Sequence, residues 1–258
     1  MEAPGRLAGR VAIVTGASRG LGAAIAERFL DDGARAVVDL DLVAPEGHSR
    51  AGMTWFRGDV SRPGDCERCV TAVLAEHGRL DVLVNNAGIS QPGTIHGEGS
   101  LEHWREVLDV NLNGAFYMTH AVLPHMMATA EMSCIINIAS IAAEVVNPVI
   151  HPGYAASKGA MISLTKHLAA THAKFAIRCC AVAPAAVRTA LWETLPDEVQ
   201  ALYAGLHPLG IGEPADVAAL TAFLVSDDAR WITGTVIQID GGNLSAGGLA
   251  AYGRQVVR

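Results

Sequence analysis

The sequence predicts an α/β protein built on a doubly wound, seven-stranded parallel sheet with helices on both faces. Short runs rich in β-branched and other apolar residues alternate with longer stretches whose apolar residues recur at helical spacing. The short runs are apolar almost throughout, which is typical of strands covered on both faces. Strands that alternate with helices build a parallel sheet, because each helix carries the chain back to the edge where the previous strand began.

Seven runs are the predicted strands: 11–14, 36–38, a run around Trp55 and Phe56, 82–84, 134–138, 180–183 and 236–239. The first helix shows the pattern between them, with Leu21, Ile25 and Phe29 on one face and Gly33 as the predicted C-cap. No linker, repeat or low-complexity segment interrupts the alternation. Residues 1–258 are therefore predicted to form one domain.

Composition limits the class of protein. Half of the 258 residues are hydrophobic and 17% are charged, so the chain can bury a large core. A formal net charge of −7 without a basic run argues against a nucleic-acid partner. The N-terminus lacks the apolar stretch of a signal peptide, and no segment has the length of a membrane span. We therefore expect a cytoplasmic protein with no membrane partner.

The five cysteines do not predict a disulfide framework, since their number is odd and the chain has no secretory signal. Cys66 and Cys69 form a C-x-x-C in a charged helical stretch, without the second pair that a zinc site needs. The other cysteines lie in apolar runs that are typical of core packing. No metal site is predicted.

Tyr154 and Lys158 lie four residues apart, so one helix would present both side chains on the same face. A free tyrosine has a pKa of about 10 and is a poor acid-base catalyst near neutral pH. A neighbouring cation favours the phenolate and lowers that pKa. The same spacing is common on solvated helix faces, so the pair gains weight only from the motifs around it.

The first predicted strand runs into a glycine-rich loop and then a helix, with the sequence Thr15-Gly16-Ala17-Ser18-Arg19-Gly20-Leu21-Gly22. Glycines here allow tight turns and a close approach of the backbone to a pyrophosphate at the helix N-terminus. The free N–H groups and the helix dipole favour negative charge at that end. The loop predicts a dinucleotide site, although a simple tight turn could have the same composition.

Further motifs follow in order: Asp59-Val60, Asn85-Asn86-Ala87-Gly88, Asn111 in a long helical stretch from Trp104 to Met127, Ser140 at the end of the fifth strand, and Asp240-Gly241-Gly242. Together with the glycine loop and the Tyr154 and Lys158 pair, this series resembles the short-chain dehydrogenase/reductase superfamily over nearly the whole chain. Within it the chain is similar to the simple secondary alcohol dehydrogenases and ketone reductases. The resemblance implies a Rossmann-type fold and hydride transfer between a nicotinamide cofactor and a secondary alcohol or ketone.

The resemblance assigns roles to four catalytic residues. Tyr154 would be the general acid-base that exchanges a proton with the substrate oxygen, and Ser140 would hydrogen-bond that same oxygen. Lys158 would lower the pKa of Tyr154 and bind the nicotinamide ribose. Asn111 would hold a water that links Lys158 to solvent. Alternatives stay open for two of them, since Ser140 could be a strand-end cap and Asn111 a helix residue satisfied by the backbone.

Cofactor choice depends on the end of the second strand, which reads Val38-Asp39-Leu40-Asp41. In the family, an acidic residue here accepts hydrogen bonds from the adenosine 2′-hydroxyl and repels a 2′-phosphate. Relative to the family pattern Asp39 comes early, so Asp39 and Asp41 are both candidates; we expect Asp39, with Leu40 against the adenine. Arg19 resembles the basic residue of NADP-using members, but no arginine follows Asp39. The prediction is NAD(H) over NADP(H).

The other predicted cofactor contacts are Gly16, Ser18, Arg19, Gly20, Leu21 and Gly22 of the loop, Asp59 and Val60 at the adenine, Asn86, Ala87 and Gly88 after the fourth strand, Tyr154 and Lys158 at the nicotinamide, and Pro184, Val187 and Thr189 after the sixth strand. Ala185 stands where the family has glycine. If that position needs a positive φ, the alanine would strain the backbone by about 1 kcal/mol.

The substrate would be enclosed by the segments after Gly88, before Tyr154 and at 189–212. Its polar contacts, besides Ser140 and Tyr154, are predicted to be Gln91, Glu144, His151 and Trp192. His151 could equally be an ordinary loop histidine and Trp192 a lid anchor. This lining suits a compact, mostly apolar secondary alcohol or ketone. The resemblance also implies a homo-oligomer, either a dimer or a tetramer.

Two other functions remain open. The Ser18-Arg19-Gly20 segment suggests an NADPH-dependent 3-oxoacyl reductase of fatty-acid type. A cofactor-binding regulatory protein without turnover is the alternative outside enzymology. The presence of Ser140, Tyr154 and Lys158 together argues against it, because a protein without turnover does not need all three.

Overall fold

The computed structural model describes residues 5–45, 50–129, 131–147, 150–193 and 195–246. Its sheet contains seven strands, namely β1 (Val11–Thr15), β2 (Ala36–Asp41), β3 (Met53–Arg57), β4 (Val82–Asn85), β5 (Ser133–Ile138), β6 (Ile177–Pro184) and β7 (Val236–Ile239). Each corresponds to one of the runs predicted from the sequence. Their order in the sheet is β3-β2-β1-β4-β5-β6-β7, and every neighbouring pair is parallel. The prediction of a doubly wound parallel sheet is confirmed.

The α-helices are α1 (Gly20–Asp31), α2 (Pro63–His77), α3 (Ser100–Leu108), α4 (Gly114–Ala128), α5 (Pro152–His172), α6 (Ala190–Glu193), α7 (Asp197–Leu206), α8 (Pro214–Val225) and α9 (Asn243–Ala246). A π-helical segment, Asp109–Asn113, joins α3 to α4. The backbone stays helical through both junctions, so the long helix predicted around Asn111 is present, with a π turn inside it. Such turns are frequent at functional sites. Gly33 follows α1 with φ of +90°, as its predicted place after the helix end requires.

Both faces of the sheet are buried. On β1, Val14 packs in one apolar cluster with Phe29 of α1, and Ile13 packs in another with Met118 of α4. Alternate side chains of a strand point to opposite faces, so the apolar run of β1 serves both clusters. Within the described ranges, no helix combines the length and apolar character needed to span a membrane.

The strand order reverses between β1 and β4, which lie side by side with Val14 opposite Val84. In doubly wound sheets, ligands bind at the carboxyl ends of the strands where the order reverses. The loop after β1 and the Asn85–Gly88 segment after β4 therefore meet at this edge. Ser140, which follows β5, lies at the same edge because β5 pairs with β4 in parallel.

All five cysteines are buried and free. Burial raises the pKa of the Cys66 and Cys69 thiols to about 12. Since metal ligation and redox chemistry need the thiolate, the C-x-x-C of α2 acts as part of the core. Among the described residues, no group of histidine, cysteine and carboxylate side chains has the arrangement of a metal site.

Candidate active site

Ser140, Tyr154 and Lys158 meet at the carboxyl edge of the sheet. Ser140 follows β5 in extended conformation, and its hydroxyl is close enough to the Tyr154 phenol, near the start of α5, to influence its pKa. The Lys158 ammonium lies 5.7 Å from the centre of the Tyr154 ring. Lys158 also donates a hydrogen bond of 2.7 Å to the carbonyl oxygen of Ile138, at the end of β5. The strand and the helix together hold all three groups.

The pKa values of the pair shift in opposite directions for the same reason. Burial raises the pKa of Tyr154, and the hydrogen bond from Ser140 opposes this. Burial lowers the pKa of Lys158 to about 8. Loss of hydration disfavours both charged forms. That Lys158 lowers the pKa of Tyr154 against this effect of burial stays a prediction.

Ser140 also performs the capping role left open above. Its hydroxyl accepts a hydrogen bond of 3.1 Å from the Ala142 N–H and donates one of 3.4 Å to the Pro184 carbonyl oxygen. The cap fixes the rotamer of Ser140 beside Tyr154. The two interpretations are therefore compatible.

Asn111 is fully buried in the π-helical segment. Its side chain pairs with both main-chain groups of Ile89, at 2.7 Å to the N–H and 3.0 Å to the carbonyl. It also donates to Ser157 Oγ at 3.1 Å, one residue before Lys158. The Asn111 side chain thus joins three segments around the site, which fits the alternative that it is satisfied by the backbone. Ser157 is a supporting residue that was not predicted from the sequence.

The glycine loop fits a dinucleotide. Gly16 and Gly20 have φ of +68° and +60°, and a Cβ on Gly22 would lie 2.2 Å from the Gly16 carbonyl oxygen. The loop could not close this tightly with side chains at these positions. No side chain caps the N-terminus of α1, and its first turn holds no acidic residue. The end of this helix is therefore suited to a pyrophosphate.

Thr15 ties the loop to the segment after β4. Its hydroxyl accepts hydrogen bonds from the N–H groups of Asn86 at 3.0 Å and Ala87 at 2.9 Å. Asn86 returns bonds to the carbonyls of Thr15 and Gly16 at 2.9 and 3.0 Å. A Cβ on Gly88 would lie 3.5 Å from the Lys158 ammonium. The segment after β4 therefore lies between the glycine loop and Lys158. Thr15, the first residue of the glycine motif, is a second supporting residue that was not predicted from the sequence.

The expectation for Asp39 and Leu40 is wrong. Both side chains are fully buried, and Leu40 packs in the core with Val11 and Ile13. The Asp39 carboxylate accepts hydrogen bonds of 2.7 Å from the Ala17 N–H and the Ser18 hydroxyl, so it faces the underside of the loop. Asp41, the other candidate, ends β2 and is partly exposed. Its carboxylate accepts from the Ser18 N–H at 3.3 Å.

The remaining cofactor candidates differ in accessibility. Asp59 is partly exposed and accepts from Ser61, at 2.9 Å from its N–H and 2.7 Å from its hydroxyl. Val60 is buried at 7% exposure and packs against Gly114, which leaves little of it for an adenine ring. Arg19 is exposed and Leu21 packs partly into the core.

The segment after β6 approaches the glycine loop. A Cβ on Gly20 would lie 3.8 Å from the Thr189 methyl group. Val187 bridges to Gly212, and Pro184 ends β6. Ala176 is the only non-glycine residue with positive φ in the described ranges, so Ala185 has an ordinary backbone conformation. The strain considered for Ala185 does not arise.

Two residues predicted to contact substrate, His151 and Trp192, are buried. His151 is 1% exposed; its Nδ1 accepts from the Gly153 N–H at 3.2 Å as N-cap of α5, and its Nε2 lies 3.0 Å from Ser100 Oγ. Trp192 is 5% exposed and packs edge to face on Tyr203 of α7 at 6.0 Å. His151 thus caps α5 as the loop histidine of the alternative interpretation. The substrate-contact and lid-anchor roles of Trp192 both stay predictions.

Gln91 and Glu144 complete the predicted set. Gln91 is partly buried, and its carbonyl accepts from the His151 N–H at 2.8 Å. Glu144 is exposed and accepts from Gln238 of β7 at 2.8 Å. It lines a groove of about 520 Å³ between α5 and β7 that includes none of the catalytic candidates. The placement of Glu144 in the substrate pocket stays a prediction.

Known proteins resemble this chain along almost its whole length. The family model described as enoyl-(acyl carrier protein) reductase matches residues 16–243. The chain is 39% identical over 247 residues to the 2-(R)-hydroxypropyl-CoM dehydrogenase of Xanthobacter autotrophicus, covering 90% of this chain and 97% of the relative. It is 36% identical over 245 residues to the 3-oxoacyl-(acyl-carrier-protein) reductase FabG of Thermotoga maritima, covering 92% and 98%.

A solved structure agrees with these sequence relatives. The ligand-free aldohexose dehydrogenase of Thermoplasma acidophilum superposes with a TM-score of 0.86 at 36% identity, covering 94% of this chain and 97% of that one. The protein therefore belongs to the short-chain dehydrogenase/reductase superfamily, whose Rossmann-type fold binds a nicotinamide dinucleotide.

Proposed function

We propose that the protein is an NAD(H)-dependent oxidoreductase that acts on a secondary alcohol or the corresponding ketone. The observation that supports this most directly is the placement of Ser140 beside the Tyr154 phenol, with the Lys158 ammonium 5.7 Å from the centre of the Tyr154 ring. The nicotinamide, when bound, supplies or accepts the hydride. The protein must then move one proton at the substrate oxygen, and Tyr154 is the side chain that would do so.

Ser140 would hold the substrate oxygen beside Tyr154. Its hydroxyl already accepts from the Ala142 N–H at 3.1 Å, so its orientation is set before substrate arrives. Such preorganisation favours the transition state, because the donor need not reorient during the reaction. In alcohol oxidation Tyr154 would accept the hydroxyl proton, and in ketone reduction it would return it.

While it is charged, Lys158 would favour the phenolate of Tyr154 and so make it available as the base near neutral pH. Its pKa of about 8 means that the ammonium form predominates near neutral pH. Nearby positive charge favours the phenolate and so acts against the rise that burial causes. Because the two groups interact, they would titrate as a coupled pair. A water relay at Asn111 would have to use its main chain, since Ile89 and Ser157 occupy the side chain.

Asp41 supports NAD(H) as the cofactor, in place of Asp39. It lies at the carboxyl end of β2, beside the glycine loop, where the dinucleotide's adenosine ribose would bind. A partly exposed carboxylate there can accept hydrogen bonds from a ribose hydroxyl. The same carboxylate would repel a 2′-phosphate.

Trp192 and Tyr203 support a small substrate pocket that α6 and α7 cover. Their edge-to-face packing at 6.0 Å joins the two helices, and Asn147 donates to the Tyr203 hydroxyl at 2.6 Å from the loop before Tyr154. This closed, largely apolar cover suits a compact secondary alcohol or ketone.

We also propose a cytoplasmic homo-oligomer. Trp104 of α3 and Phe116 of α4 are 40% and 51% exposed. Large apolar side chains at a surface are often covered by a second subunit.

The second candidate is an NADPH-dependent 3-oxoacyl reductase of fatty-acid type. Exposed Arg19 beside the loop could pair with a 2′-phosphate, and the FabG relative carries that activity in its name. The carboxylate of Asp41 at the same place argues against it. A regulatory protein without turnover is disfavoured by the presence of Ser140, Tyr154 and Lys158 in contact.

A spectrophotometric panel tests the proposal. Secondary alcohols are assayed with NAD and NADP, and ketones and 3-oxoacyl thioesters with NADH and NADPH. We expect turnover of a compact alcohol or ketone with a higher kcat/KM for NAD(H). A kcat/KM at least about tenfold higher with NADPH and a 3-oxoacyl thioester would favour the second candidate. Absence of turnover together with dinucleotide binding would favour the regulatory protein.

A further inference from the structure

Asp39 is a fully buried carboxylate in the middle of β2, and the proposed reaction gives it no direct role. Its neighbours Val38 and Leu40 are buried apolar residues. A buried carboxylate costs free energy unless hydrogen bonds compensate for lost hydration. An apolar side chain would fill this position without that cost, so the carboxylate calls for an explanation.

The two oxygens of Asp39 hold two consecutive residues of the glycine loop. Oδ1 accepts from the Ala17 N–H at 2.7 Å, and Oδ2 accepts from the Ser18 hydroxyl at 2.7 Å. The Ser18 N–H is bonded in turn by Asp41 at 3.3 Å. The middle of the loop is thus fastened to β2 by side chains.

These bonds determine which donors remain for a ligand. The Ala17 N–H and the Ser18 hydroxyl are taken up by Asp39 of β2, and the hydroxyl also lies 2.5 Å from the Val43 carbonyl oxygen. The uncapped N-terminus of α1, beginning at Gly20, keeps its free N–H groups. A loop held in this way presents the helix end to the pyrophosphate without having to reorder on binding, which lowers the entropic cost of association.

We propose that Asp39 is a positioning residue that holds the glycine loop, through Ala17 and Ser18, in the conformation that binds the dinucleotide. The inference rests on the proposed function, since it concerns the cofactor site of the same enzyme. It concerns cofactor affinity and not the chemical step, because Tyr154 belongs to a different part of the site.

The charge state of Asp39 makes the role measurable. Burial raises its pKa to about 6, opposed by the bonds from Ser18 and Ala17, and Asp41 on the same strand raises it further. Cys69 of α2 faces it from the other side and is neutral, because its own pKa is about 12. As the pH falls through about 6, the carboxyl gains a proton and can no longer accept fully from both loop donors. Cofactor affinity should therefore weaken on the acid side.

The test is the Kd of NADH, measured by its fluorescence, for the wild type, Asp39→Asn and Asp39→Ala. At neutral pH we expect Asp39→Ala to raise Kd about tenfold or more and Asp39→Asn to raise it less. When the pH is moved from below to above the pKa of Asp39, the Kd of the wild type should change and the Kd of Asp39→Asn should not. At saturating cofactor, kcat should be unchanged.

Two further variants separate positioning from general stability. Ser18→Ala should weaken binding in the wild type but add little in the Asp39→Ala background, because both changes remove the same contact. Asp81 is the matched control, since it is 4% exposed and its carboxylate accepts from the Val11 N–H at 2.8 Å, at the opposite edge of the sheet. Asp81→Asn should lower Tm without changing Kd.

A wild-type Kd in Asp39→Ala, or additive effects of the Asp39 and Ser18 changes, would overturn this inference and leave the proposed function standing. If Asp39→Ala does not fold, Asp39→Asn decides: a weaker, pH-independent Kd supports the role, and a wild-type pH profile overturns it. No NADH binding by the wild type would overturn the proposed function and this inference together.

Discussion

Lys158 lies with its ammonium nitrogen 5.7 Å from the centre of the Tyr154 ring, and the same nitrogen donates to the carbonyl oxygen of Ile138 at 2.7 Å. The distance between the two side chains therefore depends on how α5 packs against β5, in addition to their spacing within α5. The cation is near enough to act on the phenol electrostatically. It is also buried enough for its own charge to depend on pH near the working range.

The first prediction concerns this coupling. Lys158→Met should shift the pKa on the acid limb of the kcat/KM profile for alcohol oxidation to higher pH. The base must be deprotonated, and removing a cation destabilises the phenolate. The measurement is the pH profile of kcat/KM for both proteins.

Lys158→Arg is the control for that prediction, since it keeps a positive charge that does not titrate in the accessible range. Its acid limb should stay closer to that of the wild type, provided that the variant binds NADH. An unshifted limb in Lys158→Met would contradict the electrostatic role.

Ser140→Ala should lower kcat by about 10²-fold, the usual cost of losing one positioned donor to the reacting oxygen. The Kd of NADH should not change, because Ser140 contacts Tyr154, Ala142 and Pro184 and lies apart from the glycine loop. Stopped-flow turnover and NADH fluorescence measure the two quantities. Ser140→Thr, which keeps the hydroxyl, should retain more activity; equal losses in both variants would point to packing as the cause.

Asp41→Ser should raise the ratio of kcat/KM for NADP to that for NAD by about tenfold or more. Removing the carboxylate removes both the acceptor for the ribose hydroxyl and the repulsion of the 2′-phosphate. Arg19→Ala is the opposite control and should lower the same ratio. Unchanged ratios in both variants would show that this end of β2 does not determine cofactor preference.

Ala176→Gly should stabilise the protein by about 0.5–1 kcal/mol. Ala176 has φ of 58°, where an L side chain is strained and glycine is not. Ala185→Gly is the matched comparison. It should destabilise by about 0.5–1 kcal/mol, because Ala185 has an ordinary φ and glycine only adds freedom to the unfolded chain. Urea unfolding measures both, and equal effects would show that φ is not the cause.

The sheet could be predicted because its strands are apolar on both faces. The run Val11-Ala12-Ile13-Val14 is buried throughout, and so are the strands β4, β5 and β6. The edge strands β3 and β7 are partly exposed. The catalytic triad of side chains was also accessible, since helical spacing and strand-end position are local properties. Their pKa values were not, because these depend on burial by distant elements.

The end of β2 shows why the rest could not be predicted. Asp39 and Asp41 are two residues apart, so both point to the same face and a pattern of letters cannot separate them. The strand pairing decides, since Thr15 lies opposite Leu40 and Asp41 is the first residue beyond. His151 gave no local signal either, because its partner Ser100 comes from a segment distant in sequence.

The most direct test of the central claim is the Tyr154→Phe variant, assayed for both turnover and NADH binding. We expect kcat to fall by about 10³-fold or more, because the proton at the substrate oxygen loses its acid-base partner. The Kd of NADH should stay close to that of the wild type, since the glycine loop and Asp41 are unaffected. Turnover near the wild-type rate with intact cofactor binding would contradict the assignment of Tyr154 as the general acid-base.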